Sequence, residues 1–418
     1  MIEVSMPSDK TLQIKQLHYA LHQDFGNPSI HRALARTYQS VGHYYAALQE
    51  YKYEAVLSQD AVCLIEVVDI YVNSLRQVEM GRSFFEQAAR IAPTDAGVMF
   101  WNAWFAFHID QDVPTARKSI EELVARHAED KRARVLRAEI QLAAGQFQQA
   151  LEAISSVLAD CPDDVYANRI AVRADLKAGN FRQALERLKV LCRTSPNDAQ
   201  LPFVIYNCGL AADSVGETVP LLLGLVGQNP GSANHCLILG RGLIRNQQYQ
   251  EAIQALTQAQ RLDPLHAEIS LEMGLCWMKL GNLGTAAECL NDAIQHHPDR
   301  SDAHYLRGLV AYRQKELDRA ENELQRVLEI DDTRADACYL LGRICLEAHR
   351  SPQRAEDRWR AALKADPKHA WARASLAVLL YRQGKTDLAQ RELAEGLQLT
   401  PHSKALQDIA QLVSTQGE

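Results

Sequence analysis

The chain of 418 residues is 47% hydrophobic and 23% charged, the make-up of a packed globular protein rather than of a disordered chain that has too little apolar surface to bury. Its formal charge of −7 gives no global attraction to nucleic acid or anionic lipid, since both require clustered Lys and Arg. No basic stretch followed by a long apolar run lies in residues 1–27, and no run of about 18 apolar residues occurs elsewhere, which excludes export and membrane spanning from the expectations.

In chain order, residues 9–24 read as an amphipathic helix with Leu12, Leu17, Tyr19 and Leu21 on one face. A long periodic region comes next. Pro162, Pro196, Pro230, Pro264 and Pro298 stand 34 residues apart, as do Pro367 and Pro401, and the gaps of 69 from Pro93 to Pro162 and from Pro298 to Pro367 each hold two repeats. A period of 34 marks a repeat architecture and replaces any domain count based on length. Eleven units begin at Pro28, Val62, Gly97, Lys131, Val165, Ala199, Ala233, Ala267, Ser301, Ala335 and Ala370, and each reads as two helices. In the unit opening at Ala267, Met273, Trp277 and Leu280 recur at helical spacing, Gly281 and Asn282 break the run, and Ala286, Leu290, Ala293 and Ile294 form a second stripe that stops before Pro298. Residues 404–413, with Leu406, Ile409 and Leu412, read as a last amphipathic helix.

Position 8 of the units holds a small residue (Ala35, Ala138, Gly240, Gly274, Gly308, Gly342, Ala377), position 20 an alanine (Ala47, Ala150, Ala184, Ala252, Ala286, Ala320), and position 24 a large one (Tyr51, Leu188, Leu256, Trp359, Leu393). Small side chains let paired helices approach, and the large one fills the space between neighbours. Over residues 28–403 this pattern resembles the tetratricopeptide repeat. The resemblance implies an all-α fold, a right-handed α-solenoid superhelix of tandem helix-turn-helix repeats whose first helices line a concave groove. It also implies capping segments at 1–27 and 404–418, since such arrays bury their cores only by stacking.

Two units depart from the pattern. That at 199–232 has Tyr206 at the small site, Gly209 at position 11, Thr218 at position 20, and two prolines, Pro202 and Pro220. Glycine and proline weaken a helix interior by about 1 and about 3 kcal/mol. The expectation is an irregular joint between five-repeat arrays at 28–198 and 233–403, set against a degenerate repeat that stacks normally. The unit at 97–130 concentrates Phe100, Trp101, Trp104, Phe105 and Phe107 in one helix. Trp101 and Phe105 at positions 5 and 9, with His108 at 12, face the groove if the resemblance holds, either as a ligand-contacting patch or under an adjoining helix.

Elsewhere the groove positions carry Tyr305, Tyr312, Tyr339, Trp371 and Tyr381 beside Arg343, and basic residues recur as Arg169, Arg173, Lys177, Arg241, Arg245, Lys279, Arg313 and Arg382. Apolar anchors beside arginines suit a peptide or a helix, and an acidic segment fits the basic row unless those charges are merely solvated. The two-carboxylate clamp of chaperone-binding relatives is not assembled, because Arg32 and Arg36 lead only to Val67 and then to Val98 and Asn102.

No chemistry is evident. Gly240 and Gly242 form a lone Gly-x-Gly within a helix, His18 and His22 lack a further ligand, and the carboxylates occur on solvated faces. Nine cysteines without paired short spacing read as reduced thiols. The expectation is a cytoplasmic, non-catalytic interaction scaffold or assembly factor without cofactor or metal. It binds a protein or peptide in its groove and no nucleic acid, with room for a homodimer and for peripheral docking on a membrane. The alternative is a regulatory subunit that controls a catalytic, secretion or assembly complex through a ligand-dependent change of superhelix shape.

Overall fold

The computed structural model describes residues 9–415, among which lie twenty-four α-helices, one π-helical turn and no strand. Residues 1–8 and 416–418 of the two expected caps fall outside the described residues. The chain divides into two compact units, Met1–Thr194 and Ser195–Glu418. In the first, the helix Asp9–Gln23 precedes five antiparallel helix pairs, from Pro28–Ser40 with Tyr44–Ser58 to Val165–Ala178 with Phe181–Thr194. In the second, six pairs run from Leu201–Ala211 with Val215–Gln228 to Ala370–Arg382 with Thr386–Leu399, and Lys404–Thr415 packs on the last pair. Each unit is an all-α solenoid.

Local chemistry explains the start of the first helices. Asp60, Asp95, Asp130 and Asp164 stand just outside them and accept hydrogen bonds from backbone N–H groups two or three residues on, satisfying donors that the helix itself cannot. The turn to the second helix requires a left-handed residue, met by Gly179 and Gly281 with φ of 80° and 85°.

The small-to-large pairing closes each hairpin. A Cβ added to Gly240 would lie 2.7 Å from Leu256 Cγ, and one added to Gly274 2.7 Å from Leu290 Cγ. At Gly342 it would collide with the Trp359 indole, whose Nε1 donates to the Tyr339 carbonyl at 3.1 Å. Position 8 is small because position 24 of the same repeat occupies the space where its side chain would be.

A second device was not visible in the pattern. The carbonyl of the proline that closes a repeat accepts a bond from the side chain at position 4 of the next helix, buried at Asn168, His304 and Arg373 and exposed at Gln407. Asn168 Nδ2 donates to Pro162 at 2.8 Å, His304 Nε2 to Pro298 at 2.8 Å, Arg373 Nη2 to Pro367 at 3.1 Å, and in the final helix Gln407 Nε2 to Pro401 at 2.8 Å. His304 and Arg373 also reach Glu323 and Glu392 on their own second helices, at 2.8 and 2.9 Å. These bonds satisfy a carbonyl that would otherwise be orphaned at the seam between repeats.

The register differs from the sequence expectation in two units. Their first helices start at Ala61 and Ala96, not Val62 and Gly97, so both repeats are 35 residues long. The extra residue falls before the second helix. It is accommodated in one case by the π-helical turn Ile70–Ser74 and in both by a left-handed non-glycine, Arg76 or Gln111. The third long repeat, from Ala335, has its left-handed residue, Arg350, at the same sixteenth place.

In the irregular segment the unit boundary falls after Thr194, so 199–232 belongs wholly to the second unit and packs against Ala233–Arg245. Gly209 and Thr218 are a matched pair: an added Cβ on Gly209 would lie 2.8 Å from Thr218 Cγ2, and Thr218 is fully buried. Pro220 stands inside Val215–Gln228, which nonetheless runs unbroken to its end.

Candidate protein-binding site

In the second unit, the first helices Ala335–Glu347 and Ala370–Arg382, with the C-terminal helix, surround a cleft of about 660 Å³. Leu346, Val378, Leu379 and Ile409 give it apolar walls, Tyr339 and Arg343 line one side, and Arg382 lines the other. Trp371, the second residue of its helix, is 62% exposed beside them. Glu347 at the rim is neutralised internally: it accepts from the Tyr312 hydroxyl and, at 3.0 Å, from Arg343 Nη2, and the Arg343 guanidinium lies 5.1 Å from the Tyr312 ring centroid. Burial, then the bond to Glu347, pushes the Tyr312 phenol up to about 12. Tyr312 is therefore buried support beneath Arg343 rather than an open contact.

The remaining expected residues of this unit separate into paired and unpaired groups. Arg241 donates from Nε to Glu272 at 2.9 Å and from Nη2 to Glu268 at 2.7 Å, holding neighbouring first helices together. Tyr305 is half-buried under the Arg334 guanidinium, 5.0 Å from its centroid, with burial lifting its phenol to about 12. Tyr381 is half-buried between the last two core clusters. Arg245, Lys279 and Arg313, each at or beside the end of a successive first helix, are exposed and form no ion pair among the described residues.

In the first unit the aromatic helix corrects the expectation. Trp101 and Phe105 are 1% and 2% exposed. Trp101 joins Ile65, Val68 and Val72 in one core cluster, and the Phe105 ring lies 5.2 Å from that of Phe85. The cause is the register: counted from Ala96, these residues take positions 6 and 10, which are core positions like those of Leu136 and Ile140 in the next repeat. Gly97 permits the fit, since an added Cβ would lie 2.9 Å from Ile65 Cγ2.

The same one-residue rotation turns Trp104 and His108 toward a cleft of about 570 Å³, also lined by Arg132, Glu139 and Tyr166. His108 Nε2 lies 3.6 Å from Glu139, whose other partner is the Tyr166 hydroxyl at 2.5 Å. Burial outweighs the Glu139 charge and holds the His108 imidazole below its ordinary value. Arg169 and Arg173 are exposed on Val165–Ala178.

Two cleft residues, Trp104 and Ile409, were not among the expected contacts, whereas Arg382 belongs to the expected basic row. Trp104 was hidden by the one-residue shift, and nothing local marks Ile409 as a wall. Among the described residues no group of three His, Cys, Asp or Glu side chains is placed to hold a metal ion, and no helix is long and apolar enough to cross a membrane. The clefts offer aromatic surface, guanidinium groups and aliphatic walls, which is the chemistry of protein recognition.

Comparison with known proteins agrees with this arrangement. Residues 141–201 and 243–310 match one family model described as tetratricopeptide repeat, and residues 110–165 and 339–403 match a second. Superkiller complex protein 3 of Mus musculus is 32% identical over 93 residues, which are 22% of this chain and 6% of that protein. Anaphase-promoting complex subunit 3 of Dictyostelium discoideum is 35% identical over 68 residues, 16% of this chain and 7% of that one. The chain thus spans less than a tenth of the length of the curated relatives it matches. Among solved structures, the APC/C hetero-tetramer Cut9-Hcn1 superposes with a TM-score of 0.47 at 15% identity, covering 97% of this chain and 93% of the other. With both units matched and the small-to-large pairing present in successive hairpins, the chain belongs to the tetratricopeptide repeat family.

Proposed function

We propose that this protein is a non-catalytic scaffold or assembly factor that holds a segment of a protein partner against its first helices, anchored in the cleft at Trp371. The carrying observation is the indole itself, 62% exposed beside aliphatic walls and two arginines. Trp, Tyr and Arg dominate interface energetics, and a central anchor of this kind contributes about 2 kcal/mol or more. Two relatives bear the names of complex components, which supports a role in assembly. Seven of the nine cysteines are buried and none forms a disulfide among the described residues, which fits a reducing compartment such as the cytoplasm.

The test is affinity capture from native lysate with quantitative mass spectrometry, comparing wild type with Trp371→Ala and with the Trp371→Ala, Tyr339→Ala pair. Circular dichroism checks that both variants keep their helix content. The expected result is a partner retained by wild type and depleted about thirtyfold or more by the folded variants. Equal recovery by all three proteins would remove the cleft from the proposal.

A further inference from the structure

We infer that the first-helix face of the second unit takes an acidic protein segment, lying along Arg245, Lys279 and Arg313 and ending in an apolar side chain that enters the Trp371 cleft. The inference rests on the scaffold reading and gives its partner a chemistry. Charge pairing on this face is lopsided. Position 2 of three successive first helices is acidic, and each acid is already engaged: Glu268 by Arg241 and Arg300, Asp302 by Arg334 at 2.7 Å, and Asp336 by His369 at 3.1 Å. Position 13 of Ala233–Arg245, Ala267–Lys279 and Ser301–Arg313 is basic, and none of the three cations has an ion-pair partner among the described residues. Internal pairing consumes the acids and leaves a row of cations.

The row leads toward the cleft. Its next member by position is Glu347, silenced by Tyr312 and Arg343, and the one after is Arg382, which lines the cleft and has no ion-pair partner among the described residues. Residues at positions 2, 5, 9 and 13 together line that cleft, as Trp371, Tyr339, Arg343 and Arg382 show, so position 13 shares a face with the anchor site. Adjacent helices pack about 10 Å apart, and an extended strand rises about 3.3 Å per residue. Five successive first helices are therefore spanned by about twelve residues of extended chain.

The experiment uses fluorescence anisotropy of the full chain with dodecaglutamate, with the same peptide carrying Phe-Leu at either end, with dodecalysine, and with a thymidylate dodecamer. Dodecaglutamate is expected to bind, and to weaken as salt rises from 50 to 200 mM, values chosen to shorten the screening length severalfold. The Arg245→Gln, Lys279→Gln, Arg313→Gln variant should bind it on the order of tenfold to a hundredfold more weakly. One of the two Phe-Leu peptides should bind more tightly than dodecaglutamate, and Trp371→Ala should abolish only that gain.

Equal binding of dodecaglutamate and dodecalysine, or an unaffected triple variant, overturns the acidic partner. A thymidylate dodecamer that binds about tenfold tighter than dodecaglutamate gives the row to nucleic acid instead. Concentration-dependent sedimentation that the triple variant abolishes gives it to a second copy of this chain. If these arms fail while Trp371→Ala still depletes the captured partner, the scaffold reading stands and the acidic segment falls.

Discussion

The helices Ala96–His108 and Ala370–Arg382 each present tryptophan on a first helix, and the protein treats the two residues in opposite ways. Trp101 is sealed among Ile65, Val68 and Val72, whereas Trp371 stands 62% exposed at a cleft. Residue type is the same; the position counted from the true helix start is not. At positions 3, 6, 8, 10 and 11 a side chain belongs to the stack, while positions 2, 9 and 13 stay half-buried or exposed outside it, so a shift of one residue moves a ring from one role to the other.

The contrast breaks first at Trp101. Trp101→Ala should cost about 3–5 kcal/mol, as expected for an emptied aromatic site. The loss should appear as faster hydrogen exchange through the first unit with the second unit unaffected, because repeats couple chiefly to their neighbours. Equal exchange in both units would show that the burial of this ring carries no local stability.

Next is Gly342→Ala, whose new methyl would meet the Trp359 indole while that ring is tied to the Tyr339 carbonyl. Overpacking of this kind costs about 1–3 kcal/mol and should lower the melting temperature. Gly224→Ala sharpens the point from the other side. Gly224 is exposed within Val215–Gln228 with nothing within 4 Å of an added Cβ, so the change should raise stability by up to about 1 kcal/mol.

Smaller still is a pH effect at His108. Its imidazole is held below the ordinary value by burial, so the folded chain binds fewer protons than the unfolded one just below about 6.5. This contribution to stability is therefore present above that range and lost as pH falls through it. His108→Gln should flatten this part of the melting-temperature profile between pH 7 and 5, and an unchanged slope would assign the effect to other groups. Last, Trp371→Ala should change unfolding free energy by less than about 0.5 kcal/mol, as for an exposed surface residue. A larger loss would move Trp371 into the structural class of Trp101.

Much of the fold was legible in the sequence because the repeat writes the same steric relation many times. Gly240 with Leu256 and Gly274 with Leu290 are contacts within one hairpin, and local spacing suffices to read them. The expected groove residues Tyr339, Arg343 and Trp371 do converge on one cleft. What failed was register. Anchoring the second repeat on Pro93 and the third on Ala128, at their far ends, displaced the helix starts by one residue, since the added residue lies between the two helices and not at the seam. That error placed Trp101 and Phe105 at groove positions and hid Trp104. The position-4 bonds to proline carbonyls escaped for another reason: Asn168, His304, Arg373 and Gln407 share a task but no side-chain type.

Those bonds have a consequence for how such a chain can lengthen. In all three 35-residue repeats the added residue sits in the turn inside the hairpin, while in the seams that carry the bond the donor stays six residues after the accepting proline. Growth and ornament are therefore confined to one side of the array, where a loop can be enlarged or a tag grafted without disturbing the phase of the downstream repeats. The seam behaves as a splice point of fixed length, so whole repeats can be duplicated or deleted across it and the remaining modules still meet in step.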